Sequence, residues 1–147
     1  MITIQKYSDE NKTNENQKQE IIQFLFKHLE QYGDPEKDIS DAIDYALGCE
    51  KKPGGHVITA RDQQDHLVGA VVVNKTGMSG YIPENILVYI ATDKNVRGKG
   101  IGKNLMQEAI NSSHGDIALH CEPENPALHL YKKLGFTSKY LEMRLKK

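Results

Sequence analysis

Asn95-Val96-Arg97-Gly98-Lys99-Gly100-Ile101-Gly102-Lys103 joins two segments of different periodicity. Upstream, Ile86-Leu87-Val88-Tyr89-Ile90-Ala91 is an apolar, β-prone run of the kind that forms a buried strand. Downstream, Ile101, Leu105, Met106, Ala109 and Ile110 recur at helical spacing, so a helix begins inside the glycine run. A strand, a glycine-rich basic turn and a helix N-terminus together make an anion site. Glycine lets the backbone approach a ligand closely, and the free amides and dipole of a first helical turn favour phosphate oxygens. Lys94, Arg97, Lys99 and Lys103 add positive charge at the same place. The stretch is expected to hold a phosphorylated ligand.

The spacing narrows the ligand. A P-loop ends in Gly-Lys-Ser/Thr, with another glycine five positions before its last one. Here Lys103 is followed by Asn104, and position 97 is arginine. A dinucleotide fingerprint starting at Gly98 needs glycine or alanine where Lys103 stands. What does fit is Arg97-x-x-Gly100-x-Gly102. It resembles the Arg/Gln-x-x-Gly-x-Gly/Ala loop with which the GNAT superfamily of N-acetyltransferases holds acetyl-coenzyme A.

Composition sets the frame. The chain of 147 residues fits one domain, 1–147, and is too short for two typical ones. Its 38% hydrophobic and 27% charged content is that of an ordinary globular protein. A formal net charge of −1 gives no reason to expect nucleic acid or an anionic membrane as partner. Cys49 and Cys121 are too few for a disulfide framework. The first residues lack an apolar leader segment and no run reaches membrane-spanning length, so a cytoplasmic location is the expectation.

Along the chain, Ile2 and Ile4 alternate with polar neighbours as a short first strand. Ser8 to Gln19 is polar, either a mobile loop or a helix entry. Ile21, Phe24, Leu25, His28 and Leu29 form a helical stripe ending at Gly33-Asp34-Pro35, and Ile39, Ala42, Ile43, Ala46 and Leu47 a second. Val57 to Ala60 and Leu67 to Val73 read as two strands in a hairpin-like pair. After the glycine turn and its helix, Ile117-Ala118-Leu119 opens a fifth strand. Pro126 is expected as first helical residue behind an Asn125 cap, and Gly135-Phe136 as the helix stop. Thr137 to Leu145, with alternating Leu141, Met143 and Leu145, is expected to close the sheet as a last strand. The order is strand, two helices, three strands, helix, strand, helix, strand, an α/β (α+β) fold with a mixed sheet flanked by helices. That order matches the GNAT acyl-CoA N-acyltransferase fold, so the resemblance spans nearly the whole chain.

A second segment, Glu124 to Phe136, looks like the GNAT signature in which an Asn and a small residue lead to a Tyr and then Leu-Gly-Phe. The resemblance implies that Asn125 contacts the cofactor and that the Tyr131 hydroxyl is the acid that protonates the departing coenzyme A thiolate. The usual spacing is Asn-x-x-Ala/Ser, which counts back from Ala127 to Glu124, so Asn125 stands one place late. It also implies that the fourth strand splays from the fifth, exposing backbone groups of Ile90, Ala91 and Thr92 to the pantetheine arm, and a bulge is one device for such a splay. The cofactor-binding set is then Ile90, Ala91, Thr92, Arg97, Gly98, Lys99, Gly100, Ile101, Gly102 and Asn125, with acetyl-coenzyme A as co-substrate.

Some family members place a His or Glu base on the fourth strand, at positions that here are Ile86 and Val88, neither of which takes a proton. Glu84, His120, Glu122 or water remain as routes for the proton. His120-Cys121-Glu122 does not read as a metal site, since alternation sets Cys121 on the opposite face and no second ligand pair follows. The expected activity is direct transfer of acetyl to a primary amine of a small molecule, amino acid or peptide. The alternative is a non-catalytic acyl-CoA-binding or regulatory module of the same fold. A homodimer is left open.

Overall fold

The computed structural model describes all 147 residues. Strand β1 (Thr3–Tyr7) is followed by helices α1 (Glu15–Leu29) and α2 (Glu36–Ala46). Strands β2 (Gly55–Arg61), β3 (Leu67–Lys75) and β4 (Asn85–Thr92) come next, then α3 (Ile101–Ser112), β5 (Ile117–Leu119) and α4 (Leu128–Lys133). The five strands lie in one sheet in sequence order. β1 to β4 run antiparallel, and β5 lies parallel to β4. A parallel neighbour needs a crossover connection, and the glycine turn with α3 supplies it.

Alternation along β2 and β3 divides the apolar residues between two faces. Val57, Ala70 and Val72 pack with Ile21, Leu25, Ile39 and Ile43 of α1 and α2. Ile58, Val71 and Val73 pack on the other face with Ile101, Leu105 and Met106 of α3 and with Tyr131 of α4. β3, buried on both faces for most of its length, has the continuous hydrophobic sequence that such a strand requires.

The polar stretch before α1 turns out to be a helix entry. Asn14 Oδ1 accepts the Gln17 amide at 2.7 Å and Asn14 N donates to Gln17 Oε1 at 2.9 Å, a reciprocal capping box. Two expectations are corrected. Regular helix begins at Leu128, two residues after Pro126, because residues 125–129 first close tight turns through Leu128 N to Asn125 O and His129 N to Pro126 O. Residues 137–147 form no strand: Leu141, Met143 and Leu145 alternate as the sequence indicates, yet nothing in the chain pairs with them and they lie exposed.

Candidate active site

The sheet opens where β4 meets β5. Their ladder runs Asn85↔Ile117, Ile86↔Ala118, Leu87↔Leu119 and stops there. Residues 88–92 of β4 therefore have no partner on the β5 side, and of these Tyr89 to Thr92 pair with β3. The opening coincides with a bulge: Val72 faces Tyr89 while Val73 faces Leu87, which leaves Val88 as an extra residue on β4. A bulge bends its strand and ends regular pairing. Ile90, Ala91 and Thr92, the residues of the expected opening, thus have no partner on the β5 side.

β4 leads directly into the basic turn. Asp93 caps a short 3-10 turn, Lys94–Val96, by accepting the Asn95 amide. Gly98 and Gly100 then take left-handed backbone angles, φ +86° and +80°, and Gly100 is the N-cap of α3. From Arg97 through Lys103, seven consecutive residues, no backbone N–H donates a hydrogen bond within the chain. No side chain caps α3 either. A β-carbon built on Gly98 or Gly100 would meet nothing within 4 Å, so the space over these amides is open. Free donors at the positive end of a 12-residue helix are what a pyrophosphate needs.

The cations divide their work. Lys94, Lys99 and Lys103 are exposed around the turn. The Arg97 guanidinium is instead turned back, donating at 3.4 Å to the carbonyls of His28 and of Thr92 and standing 3.8 Å from the Glu30 carboxylate. It ties the end of α1 to the end of β4 and places a cation at a helix C-terminus. The Arg97 side chain thus holds the loop in place, while its amide stays unpaired.

Tyr131 stands on α4 with 6% of its surface exposed. Its hydroxyl makes no hydrogen bond within the chain. Burial, with the Cys121 thiol nearby, pushes its pKa up to about 12. Asn125 serves the α4 turn, its Oδ1 accepting the Ala127 amide at 2.9 Å. This cap leaves its side-chain NH2 free. Gly102 faces both Leu130 of α4 and Thr92 of β4, so the glycine turn, the open strand and α4 converge.

The candidate bases separate sharply. Glu84 is taken: its two carboxylate oxygens accept the amides of Asp116 at 2.8 Å and Gly80 at 3.1 Å. These backbone donors hold its carboxyl below the usual range. It also precedes the open half of β4 by four residues, about 13 Å of strand. His120 and Glu122 are exposed beyond β5.

Contacts that no sequence pattern announces close the other side of the opening. Tyr89, on the open half of β4, donates to Asp34 Oδ2 at 2.6 Å, and Tyr32 donates to the Glu124 carbonyl at 3.3 Å. The α1–α2 connection is thereby tied to β4 and to the loop after β5. The partners are 55 and 92 residues apart in sequence, and neither pair has a motif. An open cavity of about 390 Å³ lies beside the glycine turn, between Lys99, Ile101 and the β2–β3 hairpin. The larger one, about 570 Å³, lies along β1 and Arg61 and contains none of these residues.

A family model described as an acetyltransferase (GNAT) domain matches residues 53–138, more than half of the chain. Comparison of the sequence with curated proteins gives no match. Solved structures share the fold at low identity. The aminoglycoside N-acetyltransferase AAC(6')-Iy, solved in complex with CoA, is 15% identical with a TM-score of 0.70, over 100% of this chain and 96% of its own. A ribosomal-protein-alanine N-acetyltransferase from Brucella melitensis biovar Abortus 2308 is 18% identical with a TM-score of 0.67, over 100% of both chains. A transcriptional regulator from Bacillus halodurans C-125 is 19% identical with a TM-score of 0.71, again over 100% of both. With the family model lying across the open strand, the glycine turn and Tyr131, the chain belongs to the GNAT family of acetyltransferases, N-acetyltransferases whose co-substrate is acetyl-coenzyme A.

Proposed function

We propose that the protein transfers acetyl directly from acetyl-coenzyme A to a primary amine while both are bound. The observation that carries this reading is the run of seven unpaired amides, Arg97 to Lys103, continuous with a β4 segment that has no β5 partner. The amides of Arg97, Gly98, Lys99, Gly100, Ile101 and Gly102 would hold the pyrophosphate, with Lys99 adding charge. The open backbone of Ile90, Ala91 and Thr92 would pair with the pantetheine arm as a strand would. The Asn125 NH2 group would complete the grip from the α4 side.

When bound, acetyl-coenzyme A supplies an activated carbonyl, and the protein's part is alignment and electrostatics. An amide of the open β4 segment would donate to the carbonyl oxygen as negative charge grows there. Tyr131 would donate its hydroxyl hydrogen bond to the sulfur as the C–S bond breaks. Burial raises the Tyr131 pKa to about 12, so the hydroxyl is protonated and able to donate as charge grows on sulfur. Its role is therefore charge stabilisation. An acceptor that arrives as an ammonium would first give one proton to solvent water, and the neutral amine would then attack. The proton that neutralises the thiolate would be the second one nitrogen gives up, relayed through water.

The acceptor would bind on the side lined by Tyr32, Asp34, Tyr89 and Glu124. Asp34, which accepts the Tyr89 hydroxyl, and Asp38, whose charge also reaches Tyr89, place two carboxylates on this side, which supports an amine acceptor that arrives as a cation, from a small molecule, amino acid or peptide. Absence of any helix long and apolar enough to cross a membrane, together with two free cysteines, supports work in the cytoplasm. The test is release of free thiol from acetyl-coenzyme A across a panel of amino acids, polyamines, aminoglycosides and peptide N-termini. Amine-dependent release with an acetylated product is expected. Likeness to the Bacillus halodurans transcriptional regulator supports a second reading, a regulatory module that binds acyl-CoA. Tight binding with no thiol release for any amine class would favour it.

A further inference from the structure

The bulge in β4 resets which face of the sheet its side chains meet. Strict alternation would set Leu87, Tyr89 and Ala91 on one face, with Val88 and Ile90 on the other. Instead Leu87 and Ile90 pack on the α3 face, while the adjacent Val88 and Tyr89, with Ala91, pack on the face of α1 and α2. The register shows why. Val72 faces Tyr89 and Val73 faces Leu87, so Val88 is the residue without a β3 partner. Bulges of this kind re-aim a side chain.

Val88 also stands at the closed end of the opening. Leu87↔Leu119 is the last pair of the β4–β5 ladder, and Val88 is the first residue beyond it. Its neighbour Tyr89 is committed elsewhere, its hydroxyl held by Asp34 at 2.6 Å. Val88 is half-buried against the same core cluster and has no polar atom to tie.

On the reading that the pantetheine arm pairs with the open half of β4, the arm runs from Thr92 toward Val88, about 13 Å of strand. It can go no farther in line, because β5 takes the edge from Leu87 on. The thioester then lies at this closed end. Four directions surround its carbonyl carbon as the reaction proceeds. Sulfur leads back along the arm past Tyr131, oxygen takes a β4 amide, and the amine arrives from the side of Asp34. The acyl chain has the one direction left, forward against Val88.

We propose that Val88 is a specificity residue whose isopropyl group ends the acyl subsite at two carbons, so that the protein takes acetyl-coenzyme A and rejects butyryl-coenzyme A. Packed interiors do not yield to added methylenes without strain. Val88→Ala removes two carbons, the number by which butyryl exceeds acetyl.

The test is calorimetric titration of the full chain with coenzyme A and with its acetyl, propionyl and butyryl thioesters, no acceptor being present. The wild type should bind butyryl-coenzyme A roughly tenfold or more weakly than acetyl-coenzyme A. Val88→Ala should bring the two within about threefold, and Val88→Ile should extend the loss to propionyl-coenzyme A. Coenzyme A itself has no acyl group, so all three proteins should bind it within about twofold, which also shows that each is folded. Ile86→Ala, on the same strand but paired with Ala118 of β5, should keep the wild-type order. If the wild type binds coenzyme A yet does not distinguish acetyl from butyryl, the proposal is overturned and the cofactor reading stands. The same holds if Val88→Ala and Val88→Ile both keep the wild-type order. No binding of coenzyme A by the wild type would overturn both.

Discussion

Two glycines with nearly the same backbone angle separate the conformational role of the turn from its ligand role. Gly100 caps α3 at φ +80°, and Gly80 lies in the remote loop before β4 at φ +74°. In neither case would an added β-carbon meet an atom within 4 Å. Alanine at either site should thus cost only the left-handed conformation, about 1–2 kcal/mol. In a chain of this length that lowers Tm by roughly 2–4 °C per kcal/mol. At Gly100 the methyl group would also stand among the seven free amides. Loss of one or two hydrogen bonds to a charged group, each about 1.5–3 kcal/mol, weakens binding by at least tenfold. Calorimetric titration with coenzyme A, beside chemical denaturation, reads both quantities. Gly80→Ala and Gly100→Ala should lose similar stability, and Gly100→Ala alone should lose affinity. Equal affinity in the two variants would refute the assignment of the pyrophosphate to these amides.

If the Tyr131 hydroxyl acts as proposed, as charge grows on sulfur, Tyr131→Phe should lower kcat by about 10- to 100-fold while the Kd for coenzyme A stays within about twofold. Its stability should change by less than about 1 kcal/mol, since no internal hydrogen bond is lost. Glu84→Gln should leave the pH dependence of kcat/KM in place, that profile tracking the acceptor's own pKa. The same variant should alter acid stability: Glu84's folded pKa is depressed, so its contribution is present above the ordinary carboxyl pKa and is lost as pH falls through the lower folded value. His28 and His56 act in the acid range as well, because burial lowers both pKa values below 6.5. The unfolded chain then binds protons first, so stability should fall as pH drops below about 6.5, and His28→Asn should flatten that fall in denaturation curves.

The centre of the fold was legible because its signals are local. An apolar run, a glycine turn and a change of period to helical spacing placed β4, the anion turn and α3 within one continuous stretch, and the structure keeps them so. The Gly135-Phe136 stop follows the same logic and is observed bond for bond. Asn14 and Gln17 carry a capping-box signal that would have resolved the polar stretch before α1. Other features lay beyond reach for physical reasons. Alternation in 137–147 is the pattern of a strand, but it does not say whether any edge pairs with it, and here none does. The partners of the Arg97 guanidinium, and the Tyr89–Asp34 and Tyr32–Glu124 bonds, depend on how distant segments pack. Glu84 read as a candidate base because sequence shows a carboxyl's presence and not the amides that occupy it.

The central claim is that acetyl-coenzyme A lies along the open half of β4 with its pyrophosphate over the first turn of α3. Amide-resolved NMR titration of the full chain with coenzyme A tests it most directly. The largest shifts and the greatest slowing of exchange should fall on residues 97–103, with a second group on 88–92. Residues around Arg61 and β1, which line the larger cavity, should stay unchanged. Perturbations centred on β1 and Arg61, with the amides of 97–103 unmoved at saturation, would contradict the account.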